Sequence, residues 1–370
     1  MIMKAKVNFY EFKQAIEKIE KVVTNSKKEE GILENCQMTV EGGKLKLQAM
    51  KLKYMFGVYL EVKLELNNND YEEGSTLLNR KFFNGIKKIK NGIEVEITDD
   101  DMIIDNRKIK YNDKPYEVEE EDYPHLETSG EEMFTINKNE LIDIFKMKYS
   151  TSTDEVRETF NGIVFSGDEV ITSDTYRLSL RYLRVENHVT DMVNVPLDTV
   201  KLFEKIVDKK DDEVKMYYNN KNNNVIFEIN NVTLVSKVIE SKYPDFKRVI
   251  PDKTNYDFII PGDKLQEELE IIQEFNKKDV DNCVIHLSLS ENNVNITTSD
   301  KKLSSDIPCY CSEVIKEEVS FNYKFLIDTI KYNKLEEVKL KMENRHKPCI
   351  IELENGFDLI LPVKVEQAVA

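Results

Sequence analysis

Apolar residues in this chain follow a pattern that occurs three times along its length. In each copy a short apolar run is followed by a polar or proline residue and then by apolar residues three or four positions apart. The run is typical of a strand, and the spacing after it is typical of an amphipathic helix. Aligning Phe12, Leu141 and Leu265 gives offsets of 129 and 124 residues. A repeat of this length predicts one structural unit copied in tandem. The three copies cover residues 7–19, 134–145 and 258–272.

A second helix is predicted past the middle of each copy, and much of the remaining chain alternates as strands do. The three helices begin at Asn79, Pro196 and Asn322, residue types that suit a helix N-terminus. Two helices and several antiparallel strands in each copy predict an α+β fold of three tandem repeats, with the helices packed on antiparallel sheets. Alternation with period two predicts strands at residues 44–49, 93–97, 225–229 and 338–342.

An aromatic-proline pair precedes the second and third copies, at Tyr123-Pro124 and Tyr243-Pro244. Because proline cannot donate to a strand ladder, each pair is expected to end a strand. A polar stretch follows each pair. We therefore predict three domains, at residues 1–129, 130–253 and 254–370.

Composition narrows the possible classes of protein. Hydrophobic residues make up 40% and charged residues 33% of the 370 residues, which is ordinary for a globular protein. No apolar run approaches the roughly 18 residues of a membrane span, and no secretory signal pattern opens the chain, so a cytoplasmic protein is expected. The five cysteines and four histidines do not have the spacing of a metal site, and no phosphate loop or nucleophile elbow is present. We expect no catalytic activity, no metal and no cofactor.

The net charge of −16 argues against a generally basic surface, but the basic residues are not evenly spread. The helix at residues 79–90 contains five basic residues and no acid, and the helix at 322–331 has an excess of lysine. One lysine-rich helix alone is usually a solvated face, whereas two at equivalent places favour a shared basic surface. The glutamates of the helix that begins near residue 263 break this pattern.

Four short segments carry the most specific pattern in the chain. They are residues 157–165 (RETFNGIVF), 171–178 (ITSDTYRL), 243–251 (YPDFKRVIP) and 361–365 (LPVKV). In this order they resemble the bacterial DNA polymerase III beta subunit, the sliding clamp. The first two resemble its middle domain, the third the link into its last domain, and the fourth its C-terminus. The resemblance covers the whole length and implies the DNA clamp fold.

The resemblance also implies a function and partners. Two chains would join head to tail as a homodimer, giving a ring of six domains whose helices line a hole that holds double-stranded DNA without reading its sequence. The ring would confer processivity by tethering the replicative DNA polymerase, and it would be found in the cytoplasm with the nucleoid. A clamp paralogue that binds partners without loading on DNA is the alternative.

The family has a groove in which the polymerase and the clamp loader bind through short linear motifs. The Gly-His of the family pattern is Thr175-Tyr176 here, which predicts a narrower and more aromatic groove, and residues 366–370 extend past the usual end and could crowd it. Transferred by position, the groove residues are Phe160, Thr172, Thr175, Tyr176, Arg177, Leu178, Pro244, Val249, Leu359, Leu361, Pro362 and Val363.

The DNA-facing and dimer-forming residues are also expectations from the resemblance. Two family contacts to DNA are altered, because Glu158-Thr159 replaces a tyrosine pair and Asp198 replaces a lysine. The residues expected to face DNA are Lys81, Lys87, Lys88, Lys324 and Lys331. Those expected at the interface between two copies are Ile109 and Tyr111 on one side and Ile272 and Phe275 on the other.

Overall fold

The computed structural model describes residues 3–23, 31–53, 56–111, 123–210, 212–276, 283–290, 292–311 and 318–364. Its contacts divide the chain into two compact units. The first unit comprises Met1–Ile142 and Val185–Glu240, and the second comprises Asp143–Arg184 and Ser241–Ala370. Each unit therefore combines parts of two predicted repeats. The division at residues 129 and 253 describes the sequence repeat and stays a prediction.

The first unit is built on two antiparallel sheets. Their strand orders are β1-β6-β7-β8 and β5-β2-β3-β4-β16-β15-β14-β9. Its elements are β1 (Lys4–Asn8), α1 (Phe9–Ile19), β2 (Asn35–Glu41), β3 (Lys44–Lys53), β4 (Phe56–Glu65), β5 (Gly74–Asn79), α2 (Phe83–Lys88), β6 (Glu94–Thr98), β7 (Asp101–Ile104), β8 (Arg107–Lys110), β9 (Glu131–Asn137), β13 (Val193–Pro196), α4 (Leu197–Ile206), β14 (Glu213–Asn219), β15 (Asn224–Ile229) and β16 (Val232–Lys237). Helix α3 (Lys138–Phe145) begins in this unit.

The second unit also has two antiparallel sheets, and its strands run in the orders β10-β11-β12-β25-β24-β23-β17-β21 and β20-β19-β18-β22. The elements are β10 (Gly162–Ser166), β11 (Glu169–Ser173), β12 (Arg177–Tyr182), β17 (Tyr256–Pro261), α5 (Gly262–Phe275), β18 (Val284–Leu289), β19 (Asn293–Thr298), β20 (Ser304–Pro308), β21 (Tyr310–Cys311), β22 (Val319–Asn322), α6 (Tyr323–Asn333), β23 (Glu337–Met342), β24 (Cys349–Leu353) and β25 (Gly356–Ile360).

All six predicted helices are present, and so are the four strands predicted from alternation. Asparagine side chains begin three of the helices: the Oδ1 atoms of Asn8, Asn137 and Asn322 each accept a backbone N–H from the first turn. These bonds satisfy donors that have no partner within a helix. The helices then bury apolar residues against the sheets, as Phe12 and Ile16 of α1 do. Local capping and the apolar stripe together explain why the repeat could be read from sequence.

The second aromatic-proline pair, Tyr243-Pro244, does not end a strand, so the expectation is wrong there, while the residues that precede Tyr123-Pro124 lie outside the described ranges. Tyr123 and Tyr243 lie in irregular segments, and the strand before Tyr243 has already ended at Lys237. Both tyrosine rings are buried. The pairs thus attach loops to the core through the aromatic ring. Within the described residues, no helix has the length and apolar character needed to span a membrane.

Replacing Gly356 with alanine should destabilise the second unit. Gly356 opens β25 with a φ of 126°, and a Cβ atom there would lie 2.0 Å from the Leu180 carbonyl oxygen of β12. We expect the free energy of unfolding to fall by about 1–3 kcal/mol, with a lower melting temperature by calorimetry. Gly85→Ala in α2 is the control, because nothing lies within 4 Å of its added Cβ. A Gly356→Ala protein that melts like wild type would contradict this account.

Candidate functional site

A tight turn between β11 and β12 presents the residues that resemble the family's Thr-Asp-Gly-His-Arg-Leu segment. Ser173 Oγ accepts the Thr175 N–H at 3.1 Å and donates to the Arg177 carbonyl oxygen at 2.7 Å. Asp174 Oδ1 accepts the backbone N–H groups of Tyr176 and Arg177 at 2.9 and 3.0 Å. Short polar side chains that bond to nearby backbone groups favour such turns. The turn is thus fixed by its own sequence.

Thr175 occupies the position of the family's glycine with a φ of 77°. A β-branched residue is strained in this left-handed region, and such strain persists only when neighbouring contacts hold it. Here Arg157 Nη1 donates to Thr175 Oγ1 at 2.7 Å. Thr175 therefore adopts a backbone conformation that glycine would adopt freely, and its contact with Arg157 helps to hold it there.

The predicted groove residues include members of one apolar cluster in the second unit. Leu178 and Leu359 are buried in it and face each other across the β12–β25 ladder, while Phe160 and Leu361 are half-buried against it. Thr172 is also buried, but it points to the opposite face of β11 from Ile171 of this cluster, and its hydroxyl lies 2.5 Å from the Ser150 hydroxyl. Leu178 and Leu359 therefore form the floor of the predicted groove, whereas Thr172 lies on the other face of the sheet.

Three of the predicted groove residues are exposed and apolar or aromatic. Tyr176 is 57% exposed and Val249 45% exposed, and Pro244 is also exposed. The segment after β25 is held by two backbone bonds, from Leu361 N to the Tyr176 oxygen at 3.0 Å and from Val363 N to the Ser320 oxygen at 2.8 Å. Leu361, Pro362 and Val363 are half-buried. The predicted crowding by residues 366–370 lies outside the described residues.

Arg177 is held inside the unit instead of pointing into solvent. Its Nε donates to Asp174 Oδ2 at 2.9 Å, its Nη1 donates to Asp328 Oδ2 at 2.7 Å, and its Nη2 donates to the Tyr149 carbonyl oxygen. The guanidinium also lies 4.4 Å from the centroid of the Phe325 ring. Sequence reasoning missed Phe325 as a neighbour of the groove. Phe325 and Asp328 are three residues apart, which places them on one face of a helix, but this spacing does not show which residues pack against that face.

A buried polar network lies behind the floor. Arg181 Nη1 donates to Asp358 Oδ1 at 3.0 Å, and Thr329 Oγ1 donates to Asp358 Oδ2 at 2.6 Å. The Tyr149 hydroxyl donates to the same carboxylate, and burial raises the pKa of this phenol. A buried charge pair is tolerated when further hydrogen bonds satisfy both groups, as here. The network joins strands β12 and β25 to helix α6.

The lysines expected to face DNA differ in their surroundings. Lys81 and Lys88 are exposed, and Lys324 is half-buried. Lys87 forms an ion pair with Glu20 at 2.6 Å, and Lys331 forms one with Glu270 at 3.0 Å. Hydrogen bonds from Gln266 and Lys331 lower the pKa of Glu270. The two paired lysines would have to exchange a carboxylate for a phosphate on binding DNA.

The residues expected at the interface also differ in exposure. Phe275 at the end of α5 is 76% exposed, and Ile109 is half-buried on β8, the edge strand of its sheet. Ile272 and Tyr111 are buried within their own units, where Tyr111 donates to the Thr98 carbonyl oxygen. A buried residue supports its element but does not reach a partner. Phe275 and Ile109 remain the candidates for direct contact.

Comparisons with known proteins agree with this arrangement. Residues 135–245 match the family model for the central domain of the DNA polymerase III beta subunit. The beta sliding clamp of Lactococcus lactis is 24% identical over 311 residues, covering 79% of this chain and 80% of the relative. The DNA polymerase sliding clamp of Bacillus subtilis has a TM-score of 0.83 at 20% identity, covering 99% of this chain and 100% of that one. The sliding clamp of Pseudomonas aeruginosa, solved with griselimycin bound, has a TM-score of 0.84 at 18% identity, covering 98% and 100%.

The chain thus has the fold of the DNA clamps. Its resemblance to the bacterial DNA polymerase III beta subunit, the beta sliding clamp, is confirmed along with the predicted α+β clamp fold. The expected non-catalytic role in DNA replication agrees with the names of these relatives.

Proposed function

We propose that this chain is a sliding clamp that encircles duplex DNA as a head-to-tail homodimer and tethers a replicative polymerase to it. One observation carries the proposal. The four segments that resemble the family come together in one unit of this chain, and the whole chain has the clamp fold. Head-to-tail contacts that close into a ring are an allowed symmetric assembly. The three predicted domains of each chain would supply six around the ring.

Loose binding suits this role. Lysine contacts to phosphates position a protein on DNA without reading bases, and they weaken as salt rises. Retention would then come from ring closure, while the net charge of −16 discourages DNA from binding elsewhere on the protein. A tethered polymerase stays at a high effective concentration near the primer end. We place this activity in the cytoplasm, at the nucleoid.

The proposed occupant of the groove is a short linear motif of the polymerase or the clamp loader. Its apolar side chains would lie on the floor formed by Leu178 and Leu359, beside the exposed Tyr176 and Val249. Apolar surface with a few fixed polar groups is what peptide and ligand sites use. Tyr176 would stack on the peptide where the family has histidine, so we expect a preference for an aromatic or long apolar side chain there.

A paralogue that binds partners without loading on DNA is the second candidate. The observation that favours it is the pairing of Lys87 with Glu20 and of Lys331 with Glu270, which reduces the positive charge available to phosphates. This candidate keeps the groove but not the ring on DNA. The two candidates differ in whether the protein remains on circular DNA.

Loading on nicked circular plasmid separates the two. With clamp loader and ATP, we expect the protein to co-elute with the plasmid in gel filtration and to be lost once the plasmid is cut to a linear form. Sedimentation should give the mass of two chains. A protein that is monomeric at every concentration would refute the ring, and a dimer that binds motif peptide but never stays on the plasmid would favour the paralogue.

A further inference from the structure

Asp328 lies on helix α6, outside the set of groove residues, yet it is joined to the groove through one guanidinium. Arg177 is the first residue of β12, and its two carboxylate partners come from different elements. Asp174 belongs to the turn that presents Tyr176, and Asp328 lies near the middle of α6. The distances are 2.9 Å to Asp174 and 2.7 Å to Asp328.

The guanidinium has little freedom at this place. The Arg177 side chain is 11% exposed, and its ring neighbours are Phe325, at 4.4 Å, and Tyr149, at 5.7 Å. A planar guanidinium directs its N–H donors along fixed directions, so the two carboxylates fix its orientation. Charge-assisted hydrogen bonds of this kind are among the stronger ones in proteins. Asp328 is therefore one of three acceptors, with Asp174 and the Tyr149 carbonyl, that set where Arg177 points.

The orientation of Arg177 also affects the conformation of the β11–β12 turn. Asp174 accepts the Arg177 side chain with one oxygen and the N–H groups of Tyr176 and Arg177 with the other. Thr175, which lies between Asp174 and Tyr176, is in the strained left-handed region. If Arg177 is released from α6, Asp174 loses a fixed partner, and the turn can relax away from the strained conformation. Tyr176 would then no longer be held beside the groove floor.

We propose that Asp328 is a positioning residue for partner-motif binding, acting through Arg177 and Asp174 on the turn that carries Tyr176. The inference rests on the proposed peptide groove. It names a residue outside the groove that affects the peptide affinity of the groove. The helix α6 that carries Asp328 also carries Lys324 and Lys331, which are expected to face DNA. The state of this helix and the affinity of the groove are thereby linked through one ion pair.

The test compares three variants with wild type in fluorescence polarisation, using a fluorescein-labelled synthetic peptide from the clamp-binding segment of the organism's replicative polymerase. Asp328→Asn keeps the shape but removes the charge, and we expect its Kd to rise roughly fivefold to twentyfold. Asp263→Asn is the matched control, because Asp263 is an exposed acid in the first turn of α5 of the same unit. Asp328→Glu restores the charge and should recover most of the affinity.

Amide hydrogen exchange gives a readout that a general loss of stability would not produce. The amides of Tyr176 and Arg177 should exchange faster in Asp328→Asn, while amides in the β18–β19 ladder of the same unit keep the wild-type rate. Unchanged peptide affinity in Asp328→Asn would overturn this inference alone. A loss of affinity with uniformly faster exchange would overturn it too. If wild type itself does not bind the peptide, the proposed groove fails, and the inference fails with it.

Discussion

Leu361→Asp should nearly abolish binding of a polymerase motif peptide. Leu361 packs against the cluster that contains Leu178 and Leu359, and its backbone N–H is bonded to the Tyr176 carbonyl oxygen. A carboxylate placed on this apolar surface would lose hydration when a peptide covers it. A penalty of about 2–3 kcal/mol corresponds to a Kd raised roughly 30-fold to 140-fold. Fluorescence polarisation with the labelled peptide measures it.

The control for this change is Ile93→Asp, since Ile93 is a strongly exposed apolar residue of the first unit. It should leave peptide affinity at the wild-type value, and both variants should keep the mass of the wild-type assembly. Peptide affinity that survives Leu361→Asp would remove the groove from the account of this protein. It would leave the fold and the ring standing.

The double variant Lys81→Glu/Lys88→Glu should lose retention on nicked circular plasmid. Both side chains are exposed, at the start and the end of the basic helical segment that contains α2. Each change replaces a phosphate contact with repulsion, so retention should fall roughly tenfold or more, and the dependence of retention on salt should become shallower. Plasmid co-elution at low and moderate salt measures both effects.

The control is a second double variant that changes the net charge by the same amount as Lys81→Glu/Lys88→Glu does. Lys221→Glu/Lys242→Glu alters two exposed lysines that lie outside the helices. This variant should stay on the plasmid like wild type. If both double variants are retained equally at low salt, the segment around α2 faces somewhere other than the DNA.

The helices and many of the strands could be predicted because their signals are local. Asn8 and Asn322 are followed by apolar residues three and four apart, and β3 and β23 alternate with period two. The groove segments were predicted from resemblance, and the structure brings Leu178 and Leu359 together across one ladder. Such pairing follows from a known fold rather than from any pattern within either segment.

What could not be predicted are contacts between distant segments. Arg177 with Asp328 and Arg181 with Asp358 are ion pairs whose partners lie in different predicted repeats. The grouping of the contacts into two units that cut across the repeats follows from the same cause, since β12 pairs with β25 and β16 pairs with β4. Periodicity reports which face of an element is buried, but not which strand lies beside it.

The pairing of β12 with β25 has a consequence for how the protein is made. The ribosome adds roughly 5–20 residues each second, so β12 emerges on the order of ten seconds or more before its neighbour exists. During that interval one side of β12 has unpaired N–H and carbonyl groups beside the apolar Leu178 and Leu180. A nascent chain stalled before residue 356 should therefore be prone to aggregation and dependent on chaperones until its last strand is complete.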